Sequence, residues 1–262
     1  MNDMFNAKLL TAAVVIGLSV ASVPAGAVVL NDFKVDESSV EGLGGTFTAD
    51  KINGSYSEVA TFGAGTFDIV AFGDFGQYLS NDGTVNVTPI ELNNSYGLYS
   101  VFDGSGTFAD LGGGLTGFTF TSASFSLFID PDLDTTKALP GAAPGAVTLG
   151  NDADDYLIAS ASVMTSGTGV LVAGVGGFFD LIFTDFTLEN PDGTSYFIDP
   201  PSFYMRTNID GDFDTFETVG TQVINGDFSA VFVPEPGSLA LLGIGLTGLG
   251  AMARRRRKQI AA

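Results

Sequence analysis

Short apolar-alternating runs, broken by Gly, Asn and Asp, fill the chain between Val28 and Val233. Thr66 to Phe75 carries Phe67, Ile69, Phe72 and Phe75. Ser55 to Phe62 alternates as well, with Tyr56, then Val59 and Phe62 across a slip in phase. Tyr96 to Phe102 is a further strand. In Phe118 to Ile129, Phe118 and Phe120 share one face while Phe125, Leu127 and Ile129 share the opposite parity. That change near Ser122 predicts a bulge or a break between two strands. Asp155 to Met164, Phe178 to Leu188, Ser195 to Ile198 and Phe203 to Arg206 follow. Asn81-Asp82-Gly83 predicts one hairpin turn, and Asn225-Gly226, between Thr218–Ile224 and Asp227–Val233, predicts another. No stretch holds a helical period over three turns. The pattern predicts an all-β domain, a β-sandwich or jelly-roll-like pair of sheets. Lys137 to Gly150, rich in Pro, Gly and Ala, reads as a surface loop, the alternative being a boundary between two halves.

The two ends break the pattern. Lys8 precedes an apolar run from Leu9 to Val23, and Ala25-Gly26-Ala27 supplies a small-x-small cleavage site. Residues 1–27 therefore read as a signal peptide, with a retained N-terminal anchor as the alternative. At the other end, Gly237 to Ala253 carries no charge and as a helix would reach about 25 Å, near the lower limit for crossing a bilayer. Pro236 bounds the span on its outer side. Arg254, Arg255, Arg256, Arg257 and Lys258 fix its direction, because such clusters stay cytoplasmic. A buried core helix is the alternative, but core helices do not usually end in five adjacent cations.

Pro234-Glu235-Pro236, a short glycine-rich apolar span and a terminal arginine cluster, in that order, resemble the PEP-CTERM sorting signal of Gram-negative bacteria. The resemblance implies that exosortase reads Pro234, Glu235 and Pro236. The span would anchor the chain transiently in the inner membrane, and the cations would stop its transfer. It divides the chain into a signal peptide (1–27), an exported domain (28–233) and a sorting signal (234–258), with a destination at the cell surface or in the extracellular matrix.

Charge narrows the partners. Only Lys34, Lys51, Lys137 and Arg206 oppose twenty-eight acids between Val28 and Val233, so this region carries about −24. Such a surface repels nucleic acid and anionic lipid. Divalent cations and cationic or neutral polysaccharides remain. Cys and His are absent from the whole chain, which removes disulfides, thiolate chemistry, His-dependent triads and His-ligated zinc. Paired carboxylates are the one catalytic device left, and nothing in the sequence selects a pair.

Asp130, Asp132 and Asp134 alternate in one segment, and Asp210, Asp212 and Asp214 in another. Alternating carboxylates can aim hard oxygens at Ca²⁺, yet neither segment fits an EF-hand, and aspartate-rich turns need no metal. The tyrosines read as half-buried residues with their hydroxyls at the surface.

A second resemblance bears on function. Ala49 to Val59, Asn81-Asp82-Gly83-Thr84, Ser95 to Tyr99, Gly104 to Phe108, Asp130 to Thr136 and Gly220 to Gly226, in that order, are similar to the flocculation-associated PEP-CTERM proteins. That similarity implies a non-enzymatic surface or matrix protein acting in flocculation or biofilm formation with exopolysaccharide. A calcium-stabilised adhesin or carbohydrate-binding module is the alternative, and a carboxylate-dependent glycosidase stands behind both.

Overall fold

A computed structural model describes residues 30–234. The expected signal peptide, the apolar C-terminal span, Glu235, Pro236 and the terminal cations lie outside the described residues. Among the described residues no helix is long and apolar enough to cross a membrane. In chain order the strands are β1 (Phe33–Asp36), β2 (Thr46–Ala49), β3 (Lys51–Phe62), β4 (Thr66–Ser80), β5 (Val85–Asn86), β6 (Gly97–Gly112), β7 (Leu115–Asp130), β8 (Thr136–Ala138), β9 (Thr148–Gly150), β10 (Tyr156–Ala161), β11 (Met164–Val172), β12 (Gly176–Phe183), β13 (Thr187–Leu188), β14 (Phe197–Asp199), β15 (Arg206–Phe213) and β16 (Gly220–Val233). One short helix, α1 (Asp192–Tyr196), precedes β14.

The all-β expectation holds, but the two-sheet architecture does not. Strands β3, β4, β6, β7, β11, β12, β15 and β16 pair antiparallel in sequence order, and β16 returns to pair with β3. The result is a closed eight-stranded up-and-down barrel, which leaves no free edge among those strands. Strand β7 is shared along its length. Its first half, Leu115–Thr119, pairs with β11 and closes the wall, whereas Phe125–Ile129 pairs with β10. The parity change near Ser122 is a bulge within this single strand: Ser122 faces Ser105 and Phe120 faces Gly106, leaving Thr121 unpaired.

Inward positions alternate large and small. Phe228 stands beside Gly54 and Gly73, Phe67 beside Gly106, Phe179 beside Gly211 and Tyr56 beside Gly226. At each of these glycines an added Cβ would lie within 3 Å of the ring. Phenylalanine supplies the core volume, and inward glycines make room for its rings against the wall.

This packing explains two errors of sequence reading. Asn225-Gly226 is not a turn, because β16 runs straight through it. Asn225 faces outward and accepts a hydrogen bond from Ser57 at 2.6 Å. Gly226 faces inward, where a Cβ would sit 2.0 Å from the Asp212 carbonyl oxygen and 2.8 Å from the Tyr56 ring. Asp210-Gly211-Asp212 is likewise wall, in β15, instead of loop. By contrast Asn81-Asp82-Gly83 is a turn as expected. All three residues have positive φ, and buried Asp50 accepts hydrogen bonds from the amides of Asp82 and Gly83 at 2.6 and 2.9 Å.

A cap closes one end of the barrel. Strands β14, β1 and β2 form a small sheet that packs Phe33 and Phe197 against Phe232. Ser195 and Tyr196, read as strand, belong to α1, and β14 starts only at Phe197. At the opposite end Phe62, Phe108, Phe118 and Phe216 form a second aromatic group. The Lys137–Gly150 segment starts and ends in a small hairpin, β8 with β9. Between them Leu139, Ala143 and Val147 cover Val59 and Val70 on the outside of the wall.

Candidate functional site

Three places in the fold carry chemistry: the exit of the last strand, the acidic loop beyond β7, and the barrel interior.

Strand β16 ends at Val233, still paired with Arg206. Phe232, 2% exposed, packs at about 5 Å centroid separation on Phe33, Phe186 and Phe203. The Asn31 amide donates to the Phe232 carbonyl. The next residue, Pro234, is exposed. The recognition element expected at Pro234, Glu235 and Pro236 therefore begins directly at the barrel rim, with no intervening linker.

At the acidic loop, Asp130, Asp132 and Asp134 take different positions. Asp130 is buried and accepts the backbone N–H groups of Asp134 and Thr135 at 3.2 and 3.1 Å, so it closes the turn after β7. Asp132 and Asp134 are exposed. The carboxylates that approach Asp130 come from another segment, Asp154 and Asp155, with ligand atoms of all three within 4.8 Å of one another. Asp155 accepts hydrogen bonds from Tyr99 and Thr135. Burial raises its pKa, those bonds pull it down, and the charges of Asp130 and Asp154 raise it again. Lys137 sits over the Tyr99 ring and pairs with Asp74 at 3.0 Å. Asp210 and Asp212 lie on the outer face of β15, where they accept from the Ser229 hydroxyl and the Asp227 amide. Asp214 is exposed beyond the strand end.

The tyrosines are deeper than expected. Tyr78, Tyr96, Tyr99 and Tyr196 are at most 1% exposed, and Tyr56, Tyr156 and Tyr204 are half-buried. Tyr196 bonds through its hydroxyl to both Tyr78 and Tyr96 at 2.7 Å, and Tyr96 donates onward to Glu37. This chain satisfies hydroxyls that would otherwise need the surface.

The barrel interior holds a cavity of about 100 Å³. Its lining extends from Ile52 and Phe232 near the cap to Phe62 and Phe216 at the far end, and is almost wholly aromatic or aliphatic. One carboxyl lies in it. Glu58 stands in β3 between inward Tyr56 and Ala60, opposite Ala71 on one side and Ile224 on the other. No hydrogen bond or neighbouring charge offsets its burial, and its pKa is pushed up to about 8. Glu58 is half-buried and lines this space. Tyr56, the other titratable lining group, donates to the Asp212 carbonyl at 3.0 Å. Burial, followed by the charge of Glu58, raises its pKa.

The inward position of Glu58 was not read from the sequence, because the apolar residues Tyr56, Val59 and Phe62 suggest a slip in phase. No slip exists. Tyr56, Glu58, Ala60 and Phe62 point inward in strict alternation, while Val59 points outward under the 139–147 segment. A carboxyl in phase with an apolar stripe was the available signal.

Among known proteins, the PEP-CTERM protein-sorting motif matches residues 232–257. Neither a curated protein nor a solved structure matches the chain. The motif covers about a tenth of the chain and starts inside β16. It marks an exported protein processed by exosortase at the membrane for the cell surface.

Proposed function

We propose that the barrel is the exported cargo of a Gram-negative bacterium and acts without catalysis at the cell surface or in the matrix, supporting flocculation or biofilm formation with exopolysaccharide. The observation that carries this reading is the direct continuity of β16 with the sorting motif: the folded barrel is what exosortase releases. The outer wall supports it. Pairs of hydroxyl, amide and carboxylate groups run along the outside, including Ser57 with Asn225, Thr61 with Thr221 and Ser105 with Ser122. The pattern is polar outside and apolar inside, the reverse of a membrane-spanning barrel, and it suits a hydrated polysaccharide. Deletion of the gene should abolish aggregation, and only a copy retaining Pro234 to Lys258 should restore it. Unchanged aggregation in the deletion strain would overturn the proposal.

A second reading, a calcium-stabilised adhesin or carbohydrate-binding module, draws on the meeting of Asp130, Asp154 and Asp155. The buried tyrosines lend it little, since none is exposed to stack on a sugar ring.

A further inference from the structure

The interior of the barrel goes beyond the sorting reading and stands independently of it. Small barrels commonly fill their interior with side chains or hold one small ligand. Here the small side chains of Ala60 and Ala71 line a space that the surrounding phenylalanine rings leave unfilled. The volume is of the order of the apolar cavity of about 150 Å³ that binds benzene, but its shape is different. Ile52 and Phe62, both in the lining, are ten residues apart on one strand. At about 3.3 Å per residue and a strand tilt of about 40°, they are separated by roughly 25 Å along the barrel axis. The lining is long but the space within it is smaller than a cavity that holds benzene, so it admits a short alkyl chain of a few carbons and not a fused ring system.

Glu58 is the second and independent observation. It is half-buried, lines the cavity and has no hydrogen-bonding partner among the described residues. Unpartnered buried polar groups are costly and rare, and one aimed into a cavity points to a ligand group that completes it. At neutral pH a carboxyl with a raised pKa is mostly uncharged, so it both donates and accepts a hydrogen bond. An uncharged hydroxyl offers the same pair of capabilities in return.

We infer that the barrel lumen binds a single-chain amphiphile, an alkyl or acyl chain bearing one uncharged hydrogen-bonding group, with the chain between the phenylalanine rings and its polar group on the Glu58 carboxyl. The groups facing Glu58 from both neighbouring strands, Ala71, Gly73, Ile224 and Gly226, carry no charge. Tyr56 remains protonated well past the titration of Glu58. Glu58 alone therefore sets the pH dependence. Once it ionises, a bound chain would have to expel the water that solvates the carboxylate, so affinity falls as pH rises through about 8.

The test uses the mature exported protein, purified without detergent and stripped of carried lipid. Straight-chain primary alcohols of increasing length are titrated by calorimetry. The expected result is saturable one-to-one binding that tightens about fourfold per added methylene until the chain outgrows the lumen. Between pH 7 and pH 9.5 the affinity should drop about tenfold in the wild type and stay level in Glu58→Gln. Ala71→Leu, which puts a larger side chain in the cavity beside Glu58, should weaken binding at least tenfold with its melting point checked in parallel. If Ala71→Leu fails to fold, chain-length dependence and the pH profile of Glu58→Gln still decide the matter. The absence of saturable binding at every length, or equal affinity in wild type and Glu58→Gln across the pH range, would overturn the inference.

Discussion

Glu37 and Glu58 both turn toward the interior of the protein, and their surroundings are opposite. Glu37, in the cap, is 2% exposed and accepts three hydrogen bonds through Oε1: from the Glu91 amide at 2.9 Å, the Leu92 amide at 3.2 Å and the Tyr96 hydroxyl at 3.0 Å. Burial raises its pKa, and each of those bonds lowers it again. Glu58, in the lumen, has burial without the bonds. The first carboxyl organises a plug by satisfying donors that would otherwise be orphaned. The second destabilises the barrel and satisfies nothing within it. A fold that keeps an unpaired acid in its lumen carries a stability cost there, and a binding role is one way to offset it.

The largest expected effect tests that contrast at Glu58. Its folded-state pKa, about 8, lies above the ordinary 4.5, so the folded protein holds the proton more tightly than the unfolded chain. The stability contribution is complete below about pH 4.5 and is lost as pH rises through about 8. By pH 9 the loss is on the order of 3–5 kcal/mol. Glu58→Gln should stabilise the protein by about that amount at pH 9 and change it by less than about 1 kcal/mol at pH 4.5, read by urea unfolding. A constant difference between the two proteins across this range would mean that Glu58 is solvated after all.

The reverse sign is expected at Glu37. Replacing it with Leu leaves two backbone donors and the Tyr96 hydroxyl without their acceptor, at roughly 1 kcal/mol or more each. Glu37→Leu should destabilise by about 3 kcal/mol at neutral pH, and Tyr196→Phe, which removes the central hydroxyl of the chain, by about half as much. If Glu37→Leu matches the wild type in unfolding midpoint, the cap network does not hold the plug.

How far the sequence disclosed this arrangement depended on which face a residue occupies. Strands such as Thr66 to Phe75 were legible because Phe and Ile recur along them without a turn residue that ends the run. Strand β11 (Met164–Val172) was not recognised, because its inward positions include Gly167 and Gly169, which read as loop. Closure of the barrel was invisible for a related reason. It depends on the register of β16 against β3, set by inward glycines that local pattern reads as turns. The sorting motif was legible in full, since it is a linear arrangement read by another protein. Glu58 was hidden by the apparent slip in phase between Tyr56 and Val59, and the grouping of Asp130 with Asp154 and Asp155 by the tertiary fold that brings the second segment to the first.

The inward glycines carry the next effect in size. Gly226→Ala places a Cβ against the Asp212 carbonyl and the Tyr56 ring, so overpacking should cost about 2 kcal/mol. Asn225→Ala, on the outer face, loses one exposed bond to Ser57 and should cost less than about 0.5 kcal/mol. A hairpin turn would make the two costs comparable, because both residues would then need positive φ. Thermal unfolding of the two variants distinguishes wall from turn.

The smallest expected effect concerns the acidic loop, where the contrast between satisfied and unsatisfied carboxylates recurs at the surface. Asp130 and Asp155 already accept hydrogen bonds from the protein, so a cation must share them, and exposed Asp154 would supply the additional ligand. Such a site is expected to be weak, in the range of extracellular modules at about 10⁻⁴–10⁻³ M. At a free Ca²⁺ concentration of about five times the dissociation constant it would add about 1 kcal/mol, or about 2–4 °C in melting temperature for a domain of this size. The control must be NaCl at matched ionic strength, because a barrel this acidic gains from any screening. Asp154→Asn should remove the increment, whereas Asp132→Asn should leave it, since Asp132 lies outside the three-carboxylate group. An increment no larger than that from matched NaCl, or one lost equally in both variants, would assign these aspartates to turn formation and charge alone.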